Sequence, residues 1–429
     1  MAGLIYNFLL LLTLPIVLPW YLWRIFVERK ANKSWRDNLG GLPRMGDPAD
    51  GERLLWIHAA SVGEVVASLP VQTEIKRLAP ATRILLTTIT QTGHAYALEH
   101  AGLADEVAFF PLDYIPFVNR ALNRVRPDGF VMMESEIWPN FLAAARRRGI
   151  PTALISGKVS DRTFKRDLRF RWLMSWALSN IDHYCMQTET HADRIRRIAG
   201  SKLAQRLNVT VTGSTKFDQE CGTSSPDKIN SLRKEIGLPD GVRAIVAGST
   251  NPGEDEVVLD AFKKTRNGNG ALRLIIAPRK MSEVDAIEEM AQVRGFKCAR
   301  RSLNGKSDYD VLILDTFGEL ANAYAFGDLA FVGGTLVPKG GHSIVQPIIH
   351  GKPVLFGPHT FKTQNIADMA ISAGVGFQVA DSDELASRMA LLLADDQGRL
   401  KISEACARLI SENCGASARG AKIIMEMMR

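Results

Sequence analysis

The chain has 429 residues, 46% hydrophobic and 23% charged; this is a globular composition, which excludes the disordered and low-complexity classes. Its length exceeds one ordinary domain, so two of about 200 residues are expected. The formal net charge of +7 suits anionic partners such as phosphates or a membrane surface, and no nucleic-acid-binding module is recognisable.

Residues Met1–Trp23 carry no charged side chain. Leu4–Trp23 is long enough to cross most of a ~30 Å hydrocarbon layer at ~1.5 Å per residue. Trp20, Tyr21 and Trp23 close the run as an aromatic belt would, and Arg24, Arg29, Lys30, Lys33 and Arg36 follow, which by the positive-inside rule keeps the body of the protein in the cytoplasm. Residues 1–23 therefore read as a membrane anchor. Pro15 and Pro19 weaken a straight span, and a helix lying in the interface is the alternative. A cleaved signal peptide is disfavoured, because no basic n-region precedes the run. Residues 24–53 form a basic juxtamembrane segment with a Gly/Pro-rich linker at Gly40–Gly51.

Strand-like and helical patterns then alternate. The strand-like runs are Leu54–Ala60, Arg83–Thr88, Glu106–Phe110, Phe130–Met133, Thr152–Ile155, His183–Met186 and Val209–Thr212, with helical patterns such as Pro139–Arg148 between them. This predicts an α/β domain over residues 54–220 with a mostly parallel sheet. Its first strand breaks at Ser61-Val62-Gly63, and Glu64 stands where strand hands over to helix, at the mouth of the ligand crevice in such a sheet. Ser61 and Glu64 also spell a helix capping box, worth about 1 kcal/mol.

The polar stretch 221–227 reads as the inter-domain linker, and a second alternation fills 228–429, with a last helix that can pack back on the first domain. Strands at Ala244–Ala247, Val311–Leu314, Leu329–Val332 and Val354–Phe356 stop at Gly or a hydroxyl-bearing stretch, and Leu272–Ala277 stops at Pro278-Arg279. Together these ends suit backbone amides and helix N-termini facing an anionic nucleotide. No Gly-x-Gly-x-x-Gly or Walker lysine loop is present. The five cysteines, Cys185, Cys221, Cys298, Cys406 and Cys414, form no Cys-x-x-Cys pair and read as reduced thiols.

Several motifs narrow the reading. They are His58-Ala-Ala-Ser-Val-Gly-Glu64, Met133-Glu-Ser-Glu-Ile-Trp-Pro-Asn140, Thr212-Gly-Ser-Thr-Lys-Phe-Asp218, Phe331-Val-Gly-Gly-Thr-Leu336 and Gly340-Gly-His342. Together the chain resembles the B-type glycosyltransferases, and among them the 3-deoxy-D-manno-octulosonic acid (Kdo) transferases of lipopolysaccharide synthesis. The resemblance implies two Rossmann-like domains facing a cleft, the first binding acceptor and the second a CMP-sugar donor. It implies transfer of Kdo from CMP-Kdo to the 6′-hydroxyl of a lipid A precursor, with inversion and release of CMP, at the cytoplasmic face of the inner membrane. CMP-Kdo is then a co-substrate, and no cofactor is called for.

By the same resemblance Glu64 matches the general base, which takes the proton of the attacking hydroxyl. Glu134 and Lys216 match stabilisers of the transition state, with Glu136 a nearby rival read as structural. Donor contacts fall on Gly248, Ser249, Thr250, Pro278, Arg279, Phe317, Gly318 and Glu319, and on Gly341, His342, Ser343 and Gln346. One departure stands out: after Gly340-Gly341-His342 the family continues Asn-Pro-Leu-Glu, whereas this chain has Ser343-Ile-Val-Gln346, so an amide replaces an acid expected at the ribose.

On the acceptor side, Ser61 and Gly63 frame the turn. Arg162, Lys165 and Arg166 belong to a basic, aromatic-interleaved stretch suited to the phosphates of a membrane-borne acceptor and to anionic lipids. No metal is expected: Asp381-Ser382-Asp383 precedes a helical pattern and reads as an N-cap. His58 and Ser61 suggest a hydrolase pair, but no nucleophile elbow is present. Two other readings stay open, a nucleotide-sugar epimerase of the same fold and a membrane-tethered nucleotide-binding scaffold.

Overall fold

A computed structural model describes residues 2–26, 35–46, 51–100, 102–220, 226–239, 241–266, 271–303 and 308–429. These form two compact units, one of residues 1–219 with 413–429 and one of 220–412.

In the first unit seven strands are seen among the described residues: β1 (Leu54–His58), β2 (Arg83–Thr88), β3 (Glu106–Phe109), β4 (Gly129–Met133), β5 (Thr152–Gly157), β6 (His183–Met186) and β7 (Asn208–Val211). They pair in parallel in the order β3-β2-β1-β4-β5-β6-β7. β1 and β4 are buried along their whole length, as a sheet covered on both faces requires. Alternation divides β1 between two cores. Leu55 and Ile57 face Val65, Val71 and Ile75 of helix Val62–Leu78, together with Ile424 and Met428. Trp56 faces the other way and meets Phe141 edge-on at 5.0 Å and 82°.

The chain's last helix, Ala416–Met427, completes this unit. A Cβ on Gly129 would sit 2.8 Å from Met428 Cγ. Asn413 Oδ1 accepts from the Ser214 N–H at 2.9 Å, and the Asp218 carboxylate accepts from the Gly415 and Ser417 N–H groups.

The second unit has β8 (Arg243–Thr250), β9 (Leu272–Pro278), β10 (Cys298–Arg300), β11 (Val311–Ile313), β12 (Leu329–Val332), β13 (Val354–Phe356) and β14 (Gly376–Gln378). Among the described residues these seven strands are also parallel, in the order β10-β11-β9-β8-β12-β13-β14. Ile245, Ala247, Leu274, Ile276 and Phe331 build its core. The short edge strands β10 and β14 are additions to the pattern expected from sequence. Asp381 caps helix Ser382–Ala394, accepting from the N–H groups of Asp383 and Glu384 at 2.9 Å.

Four features differ from the sequence reading or lie beyond it. Residues 35–46, expected to belong to a linker, pack on the first unit: Leu42 and Met45 are buried, and Asp37 accepts from the Phe109 N–H at 3.1 Å. Leu42 and Met45 join the core of the unit, and Asn38 Nδ2 donates to Phe110 O at 2.8 Å. Pro226 and Asp227 open helix Pro226–Glu235, while the rest of the expected linker, 221–225, lies outside the described residues. Cys414 is disulfide-bonded, whereas Cys185, Cys298 and Cys406 are free thiols. This corrects the expectation of five reduced cysteines, since sequence spacing does not limit long-range pairing; Cys221 lies outside the described residues.

The fourth is the N-terminal helix Ala2–Phe26. It is held to the first unit: Tyr6 Oη donates to Asp113 Oδ2 at 2.9 Å, and the Asn7 and Asn140 amides bond each other at 2.9 Å. Leu4, Phe8, Leu11 and Leu12 are exposed. No helix among the described residues is long and apolar enough to cross a membrane. The side chains of Trp20, Tyr21, Trp23 and Arg24, and residues Arg29, Lys30 and Lys33, lie outside what is described.

Candidate active site

In the first sheet the strand order reverses between β1 and β4, and ligands of open α/β sheets bind beyond the carboxyl ends of strands at such a point. Glu64 follows β1 and Glu134 follows β4. Ser61 is the N-cap residue of helix Val62–Leu78, but its side chain makes no capping bond. Glu64 Oε2 instead accepts from the Ala60 N–H at 2.5 Å. The reciprocal capping box is therefore absent, and the carboxyl is turned back over the end of β1. Glu64 is buried. Burial, then Glu136 and Glu134, push its pKa up to about 8, against the pull of the Ala60 N–H and Lys158.

Glu134 has a left-handed backbone, φ 59°, a conformation costly for a residue with a side chain. Two strand-edge bonds impose it: its N–H donates to Ile155 O, and its carbonyl accepts from the Lys158 N–H, both at 2.9 Å. Its buried carboxylate meets two ammonium groups, Lys158 Nζ at 2.5 Å and Lys216 Nζ at 2.7 Å. Burial raises its pKa, but Lys216 and Lys158 together outweigh that and hold it below the usual carboxylate value. Lys216 lies on the short helix Thr215–Asp218, after β7. A Cβ on Gly63 would stand 3.9 Å from Lys216 Nζ, so the Ser61–Glu64 turn and the lysine share one space. Glu64, Glu134 and Lys216 thus form one cluster. Lys158 and Glu136 belong to it as well.

His58 does not pair with Ser61. It is buried against Phe110, with ring centroids 4.0 Å apart, and its Nδ1 lies 3.1 Å from Thr87 Oγ1. Burial lowers its pKa to about 3, a neutral core imidazole. Arg162, Lys165 and Arg166 project from the exposed side of helix Asp161–Arg169, with Arg166 bonded to Asp167 at 2.8 Å.

The second sheet reverses between β8 and β12. Gly248, Ser249 and Thr250 end β8 with a bulge, and Ser249 is left-handed at φ 56°. The Arg279 N–H donates to Thr250 O at 2.8 Å, tying the Pro278-Arg279 turn to that strand end. Buried Glu254 accepts from the N–H groups of Asn251, Gly334, Thr335 and Leu336 at 2.6–3.0 Å, which fixes the loop after β12. A Cβ on Gly334 would meet His342 at 3.0 Å. Burial, then the charges of Arg279 and Lys362, hold His342 down to about 4; three basic side chains thus converge beside this loop.

Phe317 is 85% exposed, while the Glu319 carboxylate is occupied by Arg301 and Thr316. Gly341 lies in the left-handed region. Ser343 and Gln346 both bond Glu220. Lys158 was read only as the first residue of a basic stretch, and Glu220, Glu254 and Lys362 were not singled out from sequence. Each acts through a partner far along the chain, and only the position of Lys158, just past a strand-like run, carried a signal.

Two doubly wound parallel units, with a charged cluster at the switch point of the first and a basic, glycine-lined edge at that of the second, have the fold of the B-type glycosyltransferases. A solved UDP-GlcNAc 2-epimerase from Neisseria meningitidis shares this fold, with TM-score 0.54 and 13% identity over 88% of this chain and 99% of that one. Residues 33–219 match the family model described as 3-deoxy-D-manno-octulosonic-acid transferase (kdotransferase). The 3-deoxy-D-manno-octulosonic acid transferase of Bordetella pertussis is 31% identical over 94% of both chains. A bifunctional glycosyltransferase/methyltransferase of Fusobacterium nucleatum is 31% identical over 78% of this chain, which spans 51% of that protein's length. The chain belongs to the Kdo transferase family, whose glycosyl transfer serves lipopolysaccharide synthesis.

Proposed function

We propose that the protein transfers Kdo from CMP-Kdo to the 6′-hydroxyl of a lipid A precursor, with inversion. The observation that carries this is the buried Glu64 carboxyl, with its pKa raised to about 8, beside a Glu134 already neutralised by two lysines. Ionised Glu64 takes the proton of the acceptor hydroxyl. The hydroxyl oxygen bonds to the anomeric carbon as the bond to the CMP phosphate breaks, and its electron pair leaves with the phosphate. A base is most effective when its pKa lies near the working pH.

Glu134 holds Lys158 and Lys216, and these cations offset the carboxylate and phosphate charge of the donor. Arg279, His342 and Lys362 meet the monophosphate, the ends of β8 and β12 offer backbone amides, and exposed Phe317 provides a face for the base. Arg279 and Lys362 supply the positive charge and neutral His342 a hydrogen bond, so the reading assigns no metal. The Ser61–Gly63 turn and Arg162, Lys165 and Arg166 face the acceptor and anionic lipid. The N-terminal helix holds the enzyme at the cytoplasmic face of the inner membrane.

The test is incubation of the purified protein with CMP-Kdo and a lipid A precursor. Release of CMP matched by a gain of one or more Kdo masses on the acceptor is expected. CMP release without acceptor gain, or no turnover, overturns the reading.

A further inference from the structure

Helix Ile115–Val125 carries no acidic residue. Its inner face, Val118, Ala121, Leu122 and Val125, is buried in the core of the first unit. Its outer face repeats Asn119, Arg120, Asn123 and Arg124 at helical spacing, and Arg126 follows as the C-cap. Like charges four residues apart, as on Arg120 and Arg124, destabilise a helix. Arg126 adds a left-handed backbone at φ 52°, a conformation costly for a residue with a side chain. The helix dipole favours basic groups in a last turn, but it does not account for the basic groups that face them from other elements.

Arg44, Arg83, Arg120, Arg124 and Arg126 line one cavity of about 880 Å³. Leu54 and Arg83, the first residues of β1 and β2, are in its wall. The cavity therefore opens at the amino edge of the first sheet, whereas Glu64 and Glu134 stand beyond the carboxyl ends of β1 and β4. No acid lines it. The acids beside it are Glu52, 3.9 Å from Arg83, and Asp128, which accepts from the Leu54 N–H at 2.7 Å. Arg124 donates to the Leu42 carbonyl and Arg126 to the Asn123 carbonyl. Among the described residues no carboxylate pairs with Arg44, Arg120, Arg124 or Arg126.

Arg148 completes the lining from outside. Its Nη2 donates to Asn119 Oδ1 and to Asn123 Oδ1, each at 3.0 Å. Both amides line the cavity, and with their oxygens engaged they keep their N–H donors. The polar side chains around the space thus act as donors throughout. Phosphoryl oxygens are acceptors, and guanidinium forks match them two bonds at a time. One phosphate carries about two negative charges, too few for five guanidinium groups, so the lining suits a ligand with two or more phosphoryl groups. The N-terminal helix is held at Asp113, Tyr114 and Asn140, none of which lines the cavity; this favours a soluble ligand over a lipid headgroup.

We propose that the arginine-lined cavity at the amino edge of the first sheet is an anion-binding site, separate from the Glu64 cluster, that takes a soluble ligand bearing two or more phosphoryl groups.

The test is calorimetric titration of the full chain with inorganic pyrophosphate and with orthophosphate at one ionic strength. Saturable binding of pyrophosphate is expected, about tenfold or more tighter than that of orthophosphate, because further charge-assisted bonds form. Arg44→Gln/Arg120→Gln should weaken pyrophosphate by about tenfold or more. Both side chains are exposed, so the fold should hold, and Arg120→Gln alone should show a smaller loss in the same direction. Lys202→Gln/Arg206→Gln removes equal charge from another exposed stretch and should stay within about twofold of the parent, as should Arg279→Ala. A parent that takes up no pyrophosphate saturably overturns the site. So does an equal loss in the Lys202/Arg206 variant, the mark of diffuse attraction, or a loss confined to Arg279→Ala, which places the anion in the second unit. Flotation with phosphatidylglycerol vesicles separates the lipid source: an Arg44/Arg120 variant that keeps pyrophosphate at the parent affinity but no longer floats assigns these arginines to lipid and overturns the soluble ligand.

Discussion

Lys158 grips Glu134 twice: its backbone N–H donates to the Glu134 carbonyl at 2.9 Å, and its ammonium group stands 2.5 Å from Glu134 Oε2. The first bond helps hold the left-handed backbone; the second shares the carboxylate with Lys216. Lys158 also draws the pKa of Glu64 down, against burial and the charges of Glu136 and Glu134. Replacing it by Gln keeps the backbone bond and removes one cation. The rise of turnover with pH should then move to higher pH, with a loss of about tenfold at pH 7. Glu136→Gln should move the rise the opposite way. Rate–pH profiles of the two variants check this, and an unmoved profile in both removes them from the electrostatics of Glu64.

Glu64→Gln should fold, bind CMP nearly as the parent does and lose at least ~100-fold in turnover, the low end for general-base catalysis. In the parent the rate should climb with pH and level off above about 8, because the ionised carboxylate is the working form. Stability has the opposite slope. The pKa of Glu64 is raised on folding, so the folded state holds more protons than the unfolded state between the ordinary value of 4.5 and about 8, and this group makes the parent less stable as pH rises through that window. The Gln variant lacks that loss. Its thermal midpoint should rise relative to the parent's from pH 5 to pH 8, as parallel melts would record; a variant midpoint that falls relative to the parent's over that range contradicts the assignment.

Arg279→Ala should weaken CMP by about tenfold to a hundredfold, from roughly 1.5–3 kcal/mol for a charge-assisted bond. The Arg279 backbone bond to Thr250 O survives the change, so the fold should hold. An unaltered dissociation constant by titration would place Arg279 outside the donor site.

The N-terminal helix turns Tyr6 and Asn7 toward Asp113 and Asn140 and leaves Leu4, Phe8, Leu11 and Leu12 exposed. Phe8→Asp/Leu12→Asp should cut binding to vesicles containing anionic lipid severalfold, while CMP affinity stays at the parent value. Flotation of both proteins with the same vesicles measures it. Undiminished flotation would show that these residues are not what meets the lipid.

Much of this molecule was legible in its sequence because its sheets are buried on both faces. Such strands are written as unbroken apolar runs, and the acids after β1 and β4 stand out at their ends. β10 and β14 escaped because Cys298-Ala-Arg300 and Gly376-Phe-Gln378 are three-residue edges with part of their length exposed. The Ser61–Glu64 spacing was compatible with a capping box, and the Glu64 bond to the Ala60 N–H, with no capping bond from the Ser61 side chain, separates the two geometries. Lys158 and Glu220 were hidden for another reason. A lysine in a basic stretch and an acid beside a linker look solvated until Glu134 and Gln346 are found against them.

The return of residues 413–429 to the first unit has a consequence for biosynthesis. The loop bearing Lys216 is fastened by Asn413 to Ser214 and by Asp218 to Gly415 and Ser417, while Met428 fills the space beside Gly129. On the ribosome all of 220–412 is made before these fastenings exist. A nascent first unit therefore emerges with an open core face and an unmoored lysine, and the Lys216 segment is fastened only after the second unit has been translated.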